Sequence, residues 1–224
     1  MSSDSNYNPA SRLDVSIFPG RCDPGSKLRL MTGWLRQWMI VHFADSLNIY
    51  DQKKKNVWVW RQDPNKKGEA DPVSSGIVIE PNTRYDTAFT ETRPAVIIKR
   101  QKWRKQRFGI NDQLLGEVGP NGEMYFANYW LGAHTLFCIA SEPVEAEMLA
   151  IEVYTELNEF ASAFRKGVNL MRFEVTDVDE IGILEESGQS FVVPVTIAYA
   201  VEESWTLRSE APFLQRFDAA LMGL

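Results

Sequence analysis

The stretch that decides the fold runs from His134 to Leu207 and reads HTLFCIASEP (134–143), a long amphipathic segment, LMRFEVTDVDEIGILEES (170–187) and SFVVPVTIAYAVEESWTL (190–207). Apolar residues alternate with others in 170–178 and in 191–201, which predicts strands, and the segment before them has helical spacing. Because a proline removes a ladder donor, Pro194 predicts an edge strand, a bulge or a position turned away from its partner. The order strand, helix, strand, strand predicts helices packed against a mainly antiparallel sheet.

The amphipathic segment between the first two pieces has the signals of one helix. Ser141 is a candidate N-cap, Pro143 lies in the first turn, and Gly167 is a candidate residue after the last turn. Its apolar spacing predicts a buried stripe made of Val144, Met148, Ile151, Tyr154 or Thr155, Leu157 or Ala161, Phe160 and Phe164. Opposite part of that stripe we predict a solvated acidic face made of Glu145, Glu152, Glu156 and Glu159.

The rest of the chain supplies the remaining elements of an α+β fold. A first helix is predicted from Ser26 to 44–47, with an apolar stripe formed by Met31, Trp34, Leu35, Trp38 and His42. Alternation predicts strands at 56–62, 76–81 and 93–103, and the turn residues 120–122 predict a β-hairpin. We therefore predict a mainly antiparallel sheet with two principal helices on one face, a β-hairpin arm and a short C-terminal helix at 211–222.

Composition divides the chain into a polar arm and one domain. Residues 1–24 are rich in Ser, Asn, Asp and Pro, which predicts a flexible arm. Residues 25–224 are predicted to form a single α+β domain with insertions at about 48–92 and 99–130. The N-terminus lacks an apolar signal-peptide core and no stretch approaches the length of a membrane span, so we expect a protein of a reducing, soluble compartment.

The chain has no recognisable catalytic or metal-binding motif. Its two cysteines and two histidines form no cluster, and there is no phosphate-binding glycine loop and no nucleophile elbow. His42 and His134 lie in apolar patterns, where structural roles are expected, and the acidic run 177–180 lacks the ligand spacing of a calcium loop. We therefore expect no enzymatic activity, no cofactor and no metal.

The most distinctive chemical feature is the basic segment KRQKWRKQR, residues 99–107, in a chain of net charge −6. Cations around an aromatic ring suit a nucleic-acid backbone, an acidic face on a neighbouring protein, or plain solvation. All three interpretations stay open, and contact with an acidic face is the leading one. The candidate interface residues are Arg100, Lys102, Trp103, Arg104, Lys105 and Arg107 on the basic segment and Glu145, Glu152, Glu156 and Glu159 on the predicted helix.

The chain resembles bacteriophage tail-terminator (tail-completion) proteins. The resemblance lies in the order of elements over 26–47 and 93–207 and in segments such as FVVPVTIAYAVEESWTL. The resemblance implies a non-enzymatic α+β virion protein, assembled in the host cytoplasm. Such proteins form a ring, commonly a hexamer, that caps the tail tube, joins it to the head and lets DNA pass. The arm 1–24 and the insertion 48–92 are extra to that family, which leaves open a head-completion or stopper position in the neck.

Overall fold

The computed structural model describes residues 24–66, 68–84, 93–106, 114–118, 124–184 and 190–207. Within these ranges lie helices α1 (Pro24–Ala44), α2 (Pro143–Glu159) and α3 (Ala161–Val168) and a short 3-10 helix, Asn82–Arg84. The predicted N-terminal arm, apart from Pro24, and the predicted C-terminal helix lie outside the described residues. In the part of the chain that is described, no helix is long and apolar enough to cross a bilayer.

Eight strands among the described residues form one sheet. They are β1 (Val78–Pro81), β2 (Ala95–Arg100), β3 (Arg104–Gln106), β4 (Leu114–Val118), β5 (Met124–Ala140), β6 (Arg172–Val178), β7 (Gly182–Ile183) and β8 (Phe191–Leu207). The order is β1-β2-β5-β8-β6, with β3 and β4 also paired to β5 and β7 paired to β8. β1 is parallel to β2, whereas β2–β5, β4–β5, β6–β8 and β7–β8 are antiparallel. The predicted mainly antiparallel α+β fold is confirmed.

The helices pack on the sheet face that carries the even-numbered residues of β5. Thr32 of α1 and His134 of β5 share a hydrogen bond of 2.8 Å between Oγ1 and Nε2. The Phe164 ring of α3 lies 4.6 Å from the Phe173 ring of β6, measured between centroids. On the odd-numbered side, Val78, Ala95, Ile97 and Ile139 form a separate buried cluster. Because side chains alternate across a strand, β5 contributes side chains both to the face under the helices and to this cluster.

Arg36 fastens α1 to the edge of the sheet. Its Nε donates to the carbonyl oxygen of Ile79 at 3.0 Å, and its guanidinium pairs with Glu80 at 2.8 Å and also donates to the carbonyl of Gly68. A guanidinium spreads several donors in one plane, so a single side chain can join the helix, β1 and the loop before β1.

The β-hairpin predicted around 120–122 is confirmed by its two arms. Leu114 pairs with Phe126 and Val118 with Met124, antiparallel, while the turn itself lies outside the described residues. β4 and 124–130 of β5 belong with 105–106 and 202–207 to a small compact unit, and 25–104 and 131–201 form a second, larger unit. The prediction of a single domain from residue 25 onward stays a prediction.

Pro194 lies at a change of partner within β8. Phe191 and Val192 pair with β7, and Val195 and the residues after it pair with β6. The β6 register also shifts between Val175 and Asp177, which is a bulge. The edge alternative was wrong, because β8 lies between β5 and β6. A proline is tolerated here because it falls between two ladders, where no donor is required.

Two element predictions need correction. Residues 56–62 form no strand. Turns at 52–57, held by bonds such as Lys55 N to the Asp51 carbonyl at 2.9 Å, lead into an irregular segment from which Trp58 and Trp60 are buried. The single helix predicted after Ser141 is two helices, since it breaks at Phe160 and ends at Asn169 in a left-handed conformation (φ 54°) rather than at Gly167.

Candidate functional site

Helix α2 buries a different face from the one predicted from the sequence, although Leu157 and, on α3, Phe164 are buried as predicted. Its buried apolar residues are Ala146, Leu149, Ala150, Val153 and Leu157, whereas Val144 is 62% exposed, Ile151 54% and Tyr154 40%. Glu152 and Glu156 are buried, so the prediction that they belong to a solvated face was wrong. The two alanines lack bulk beyond Cβ, so the helix can lie close to its neighbours on that side.

Each inward glutamate meets donors on α1 or on the loop after it. Glu145 pairs with Lys54 Nζ at 2.5 Å and accepts from Trp58 Nε1 at 3.2 Å. Glu152 accepts from the backbone N–H groups of Tyr50 and Asp51 at 2.8 and 3.2 Å. Buried carboxylates are tolerated only when they are paired and hydrogen-bonded, and these are.

His42 completes what we call the histidine cluster, made of His42, Glu152 and Glu156. Its Nε2 lies 2.8 Å from Glu152 Oε1 and its Nδ1 lies 3.0 Å from Glu156 Oε2. Because a carboxylate only accepts, both ring nitrogens must donate, and the ring is an imidazolium. Burial alone would lower the pKa of His42, but the hydrogen bonds and charges of Glu152 and Glu156 outweigh it and raise that pKa to about 9.

The cluster is extended by residues on both helices and on the loop. Trp38 Nε1 donates to Glu156 at 2.8 Å, and the Tyr50 hydroxyl lies 2.9 Å from Glu159 and 3.2 Å from Glu156. Burial opposes ionisation of Glu156, but hydrogen bonds and charge from His42 dominate and lower the pKa of its carboxyl. With both ring nitrogens engaged and a side chain only 1% exposed, His42 has no free atom to act as a base.

A groove of about 970 Å³ opens beside the histidine cluster, between α1, the loop 47–52 and the facing parts of α2 and α3. Its aromatic walls are Trp34, Trp38, Tyr50, Phe160 and Phe164, and its acidic side is formed by Glu156 and Glu159. Apart from His42, none of the described residues that line it is cationic. The groove therefore combines apolar walls with unbalanced negative charge.

The basic segment lies elsewhere in the fold. Lys99, Arg100, Lys102 and Arg104 are exposed, and no described carboxylate forms an ion pair with any of them. The Arg100 guanidinium lies 4.5 Å from the centroid of the Trp103 ring. Lys105 is partly buried, and Arg107 lies outside the described residues. The structure thus brings Glu152, Glu156 and Glu159 together around His42 and Tyr50, places Glu145 with Lys54, and pairs none of the four with the predicted cations.

His134 is the second buried histidine and has the opposite character. It is fully buried, its Nδ1 has no hydrogen-bond partner among the described residues, and its ring lies 5.6 Å from that of Tyr199. Burial, with a smaller effect of the charge on Arg100, lowers the pKa of His134 to about 4. The side chain is therefore neutral in the folded protein at neutral pH.

The histidine cluster was missed from sequence, although a signal for it exists. A histidine on the apolar stripe of α1 needs a buried partner, and two glutamates four residues apart on another helix can present one carboxylate to each ring nitrogen. No group of three potential metal ligands occurs within the described ranges. No protein-family model matches the chain, and no curated protein matches it significantly.

Proposed function

We propose that this chain is a non-enzymatic structural protein of a tailed bacteriophage. It assembles into a ring, with six copies as the expected number, that terminates the tail tube and joins it to the head. The ring lies in the neck of the virion, contacts tail-tube and head-side connector proteins, and leaves a passage for DNA. The resemblance of the sequence to tail-terminator proteins supports this assignment, and a head-completion or stopper position is the alternative within the same neck.

The observation that carries the self-assembly is the apolar stripe of α2, made of Val144, Ile151 and Tyr154. These large apolar side chains are 40–62% exposed along one helix. Exposed apolar surface of this kind marks contact with another protein. The helix keeps Glu152 and Glu156 inside instead, so the stripe is available to another copy.

The test compares the native mass of the wild type with that of two variants. Ile151→Glu places a charge in the stripe and should shift the protein from ring to monomer. Val73→Glu makes the same change at a residue that is 92% exposed and far in sequence from α2, and should leave the ring intact. A wild type that is monomeric at every concentration would refute the assembly. Virions made without the protein, if they carried normal joined tails, would refute the neck position.

Nucleic-acid binding through the basic segment is the second candidate. Four exposed cations surround Trp103, but that ring is partly buried and is packed against Arg100, which leaves less of it open to a base. Affinity for DNA that falls steeply with salt and depends on Trp103 would favour this function. The absence of binding to DNA and to RNA at low salt would exclude nucleic-acid binding by this segment.

A further inference from the structure

We propose that the groove receives cationic side chains of the basic segment, residues 99–104, from a second copy of the chain. The inference rests on the proposed assembly of the chain into a ring and adds the pair of surfaces that meet. It concerns surfaces other than the apolar stripe of α2, since neither Val144, Ile151 nor Tyr154 lines the groove.

The groove side has an excess of negative charge. Of the residues that line the groove, Glu156 and Glu159 carry negative charge and His42 is the one described cation, so one negative charge is left unbalanced. Glu159 is the exposed member, with one carboxylate oxygen 2.9 Å from the Tyr50 hydroxyl. No lysine or arginine among the described residues lines the groove, so the exposed carboxylate of Glu159 is open to a cation from another copy.

The walls of the groove suit a cation that has an extended apolar stem. Rings of Trp34, Trp38 and Tyr50 face the same space as Phe160 and Phe164. A guanidinium or ammonium group is attracted to aromatic faces, and its methylene stem can lie along apolar surface. A volume of about 970 Å³ is enough for several such side chains.

The basic segment has the matching properties. Lys99, Arg100, Lys102 and Arg104 place four exposed cations within six residues, unpaired with described carboxylates. No residue of 99–104 lines the groove of its own chain. Groove and segment are therefore two different surfaces of opposite charge on one chain. A contact between different surfaces produces a ring when its repeated rotation closes, and opposite charge orients the encounter.

The first experiment uses a peptide of residues 98–106, IKRQKWRKQ, titrated by calorimetry at low salt into full-length protein that has been diluted until its native mass is that of a monomer, so that the groove is free. The wild type should bind it, and Glu159→Lys should weaken binding at least tenfold. Glu180→Lys is the matched control, because Glu180 is exposed and outside the groove, and it should bind the peptide as the wild type does. A peptide with glutamine in place of its arginines and lysines should not bind. Equal binding by the wild type and Glu159→Lys, or no binding by the wild type, would overturn the proposal.

The second experiment measures native mass for the same variants. Glu159→Lys and Arg104→Glu should each lower the ring population, Glu180→Lys should not, and combining Glu159→Lys with Arg104→Glu should restore part of the ring. Thermal unfolding confirms that each variant folds, and Arg104→Glu leaves the groove itself unchanged. A wild-type ring that neither charge reversal weakens would overturn the groove contact while the ring stands. A monomeric wild type would overturn both.

Discussion

His42 should make the protein lose stability as the pH rises from 6.5 to 9. Its pKa is about 9 in the folded protein against 6.5 for an unperturbed histidine, so the folded state holds a proton that the unfolded state releases in this range. A difference of roughly 2.5 pKa units at about 1.4 kcal/mol each corresponds to about 3 kcal/mol. That stabilisation is complete below pH 6.5 and is lost as the pH passes 9. Solvent screening is small, because the His42 side chain is 1% exposed.

The assay is urea unfolding at a series of pH values from 6 to 9.5, applied to the wild type and to His42→Gln. The variant leaves two buried carboxylates without their cation, so at pH 6 it should be less stable by about 3–5 kcal/mol. Its free energy of unfolding should then change little over the pH range in which that of the wild type falls. Burial raises the pKa of the Cys138 thiol, which adds a loss of stability at high pH. That loss is common to both proteins, so the difference between them isolates His42.

Parallel stability curves for the wild type and His42→Gln would refute the reasoning. They would mean that His42 carries no extra proton in the folded state and that the two carboxylates are held by Trp38, Tyr50 and the loop N–H groups alone. A ¹³C NMR titration of the histidine rings gives an independent reading, in which one imidazole should stay protonated well above pH 7.

Three further outcomes are expected. Burial lowers the pKa of His134 to about 4, so the unfolded chain takes up a proton between pH 6.5 and 4 that the folded chain does not bind. The free energy of unfolding should therefore fall by about 3 kcal/mol over this range. His134→Gln should remove this pH dependence in urea titrations at acid pH. Gly132→Ala would place a Cβ 2.5 Å from the Tyr199 ring and should lower the free energy of unfolding by about 1–3 kcal/mol. Gly33→Ala, which meets open space on α1, should raise it by about 0.5–1 kcal/mol, and equal melting temperatures for the two variants would contradict this contrast. Cys138, fully buried, should react with iodoacetamide only after unfolding, as mass spectrometry of the peptides would show.

Periodicity in the sequence was enough to place β1, β2, β6, β8 and α1. In β8, for example, Val193, Val195, Ile197 and Tyr199 alternate as predicted and are all buried. The same reasoning failed on α2, because it counted large apolar residues and treated every glutamate as solvated. Which side of a helix is buried depends on what the neighbouring elements offer, and one sequence does not show which donors lie opposite Glu152 and Glu156. The strand predicted at 56–62 failed for a similar reason, since Trp58 and Trp60 are buried from an irregular segment.

The buried charges and the exposed stripe are two results of one choice of helix orientation. If α2 were turned so that Ile151 faced inward, Glu152 and Glu156 would reach solvent and His42 would lie on the apolar face of α1 without a carboxylate. The ionic contacts of His42 therefore favour the orientation that leaves Val144, Ile151 and Tyr154 outside. Apolar residues at these positions contribute little to the isolated chain, since 40–62% of their surface stays in water. In the proposed assembly a contact between copies buries them, so Ile151→Glu should weaken assembly far more than it lowers the stability of the monomer.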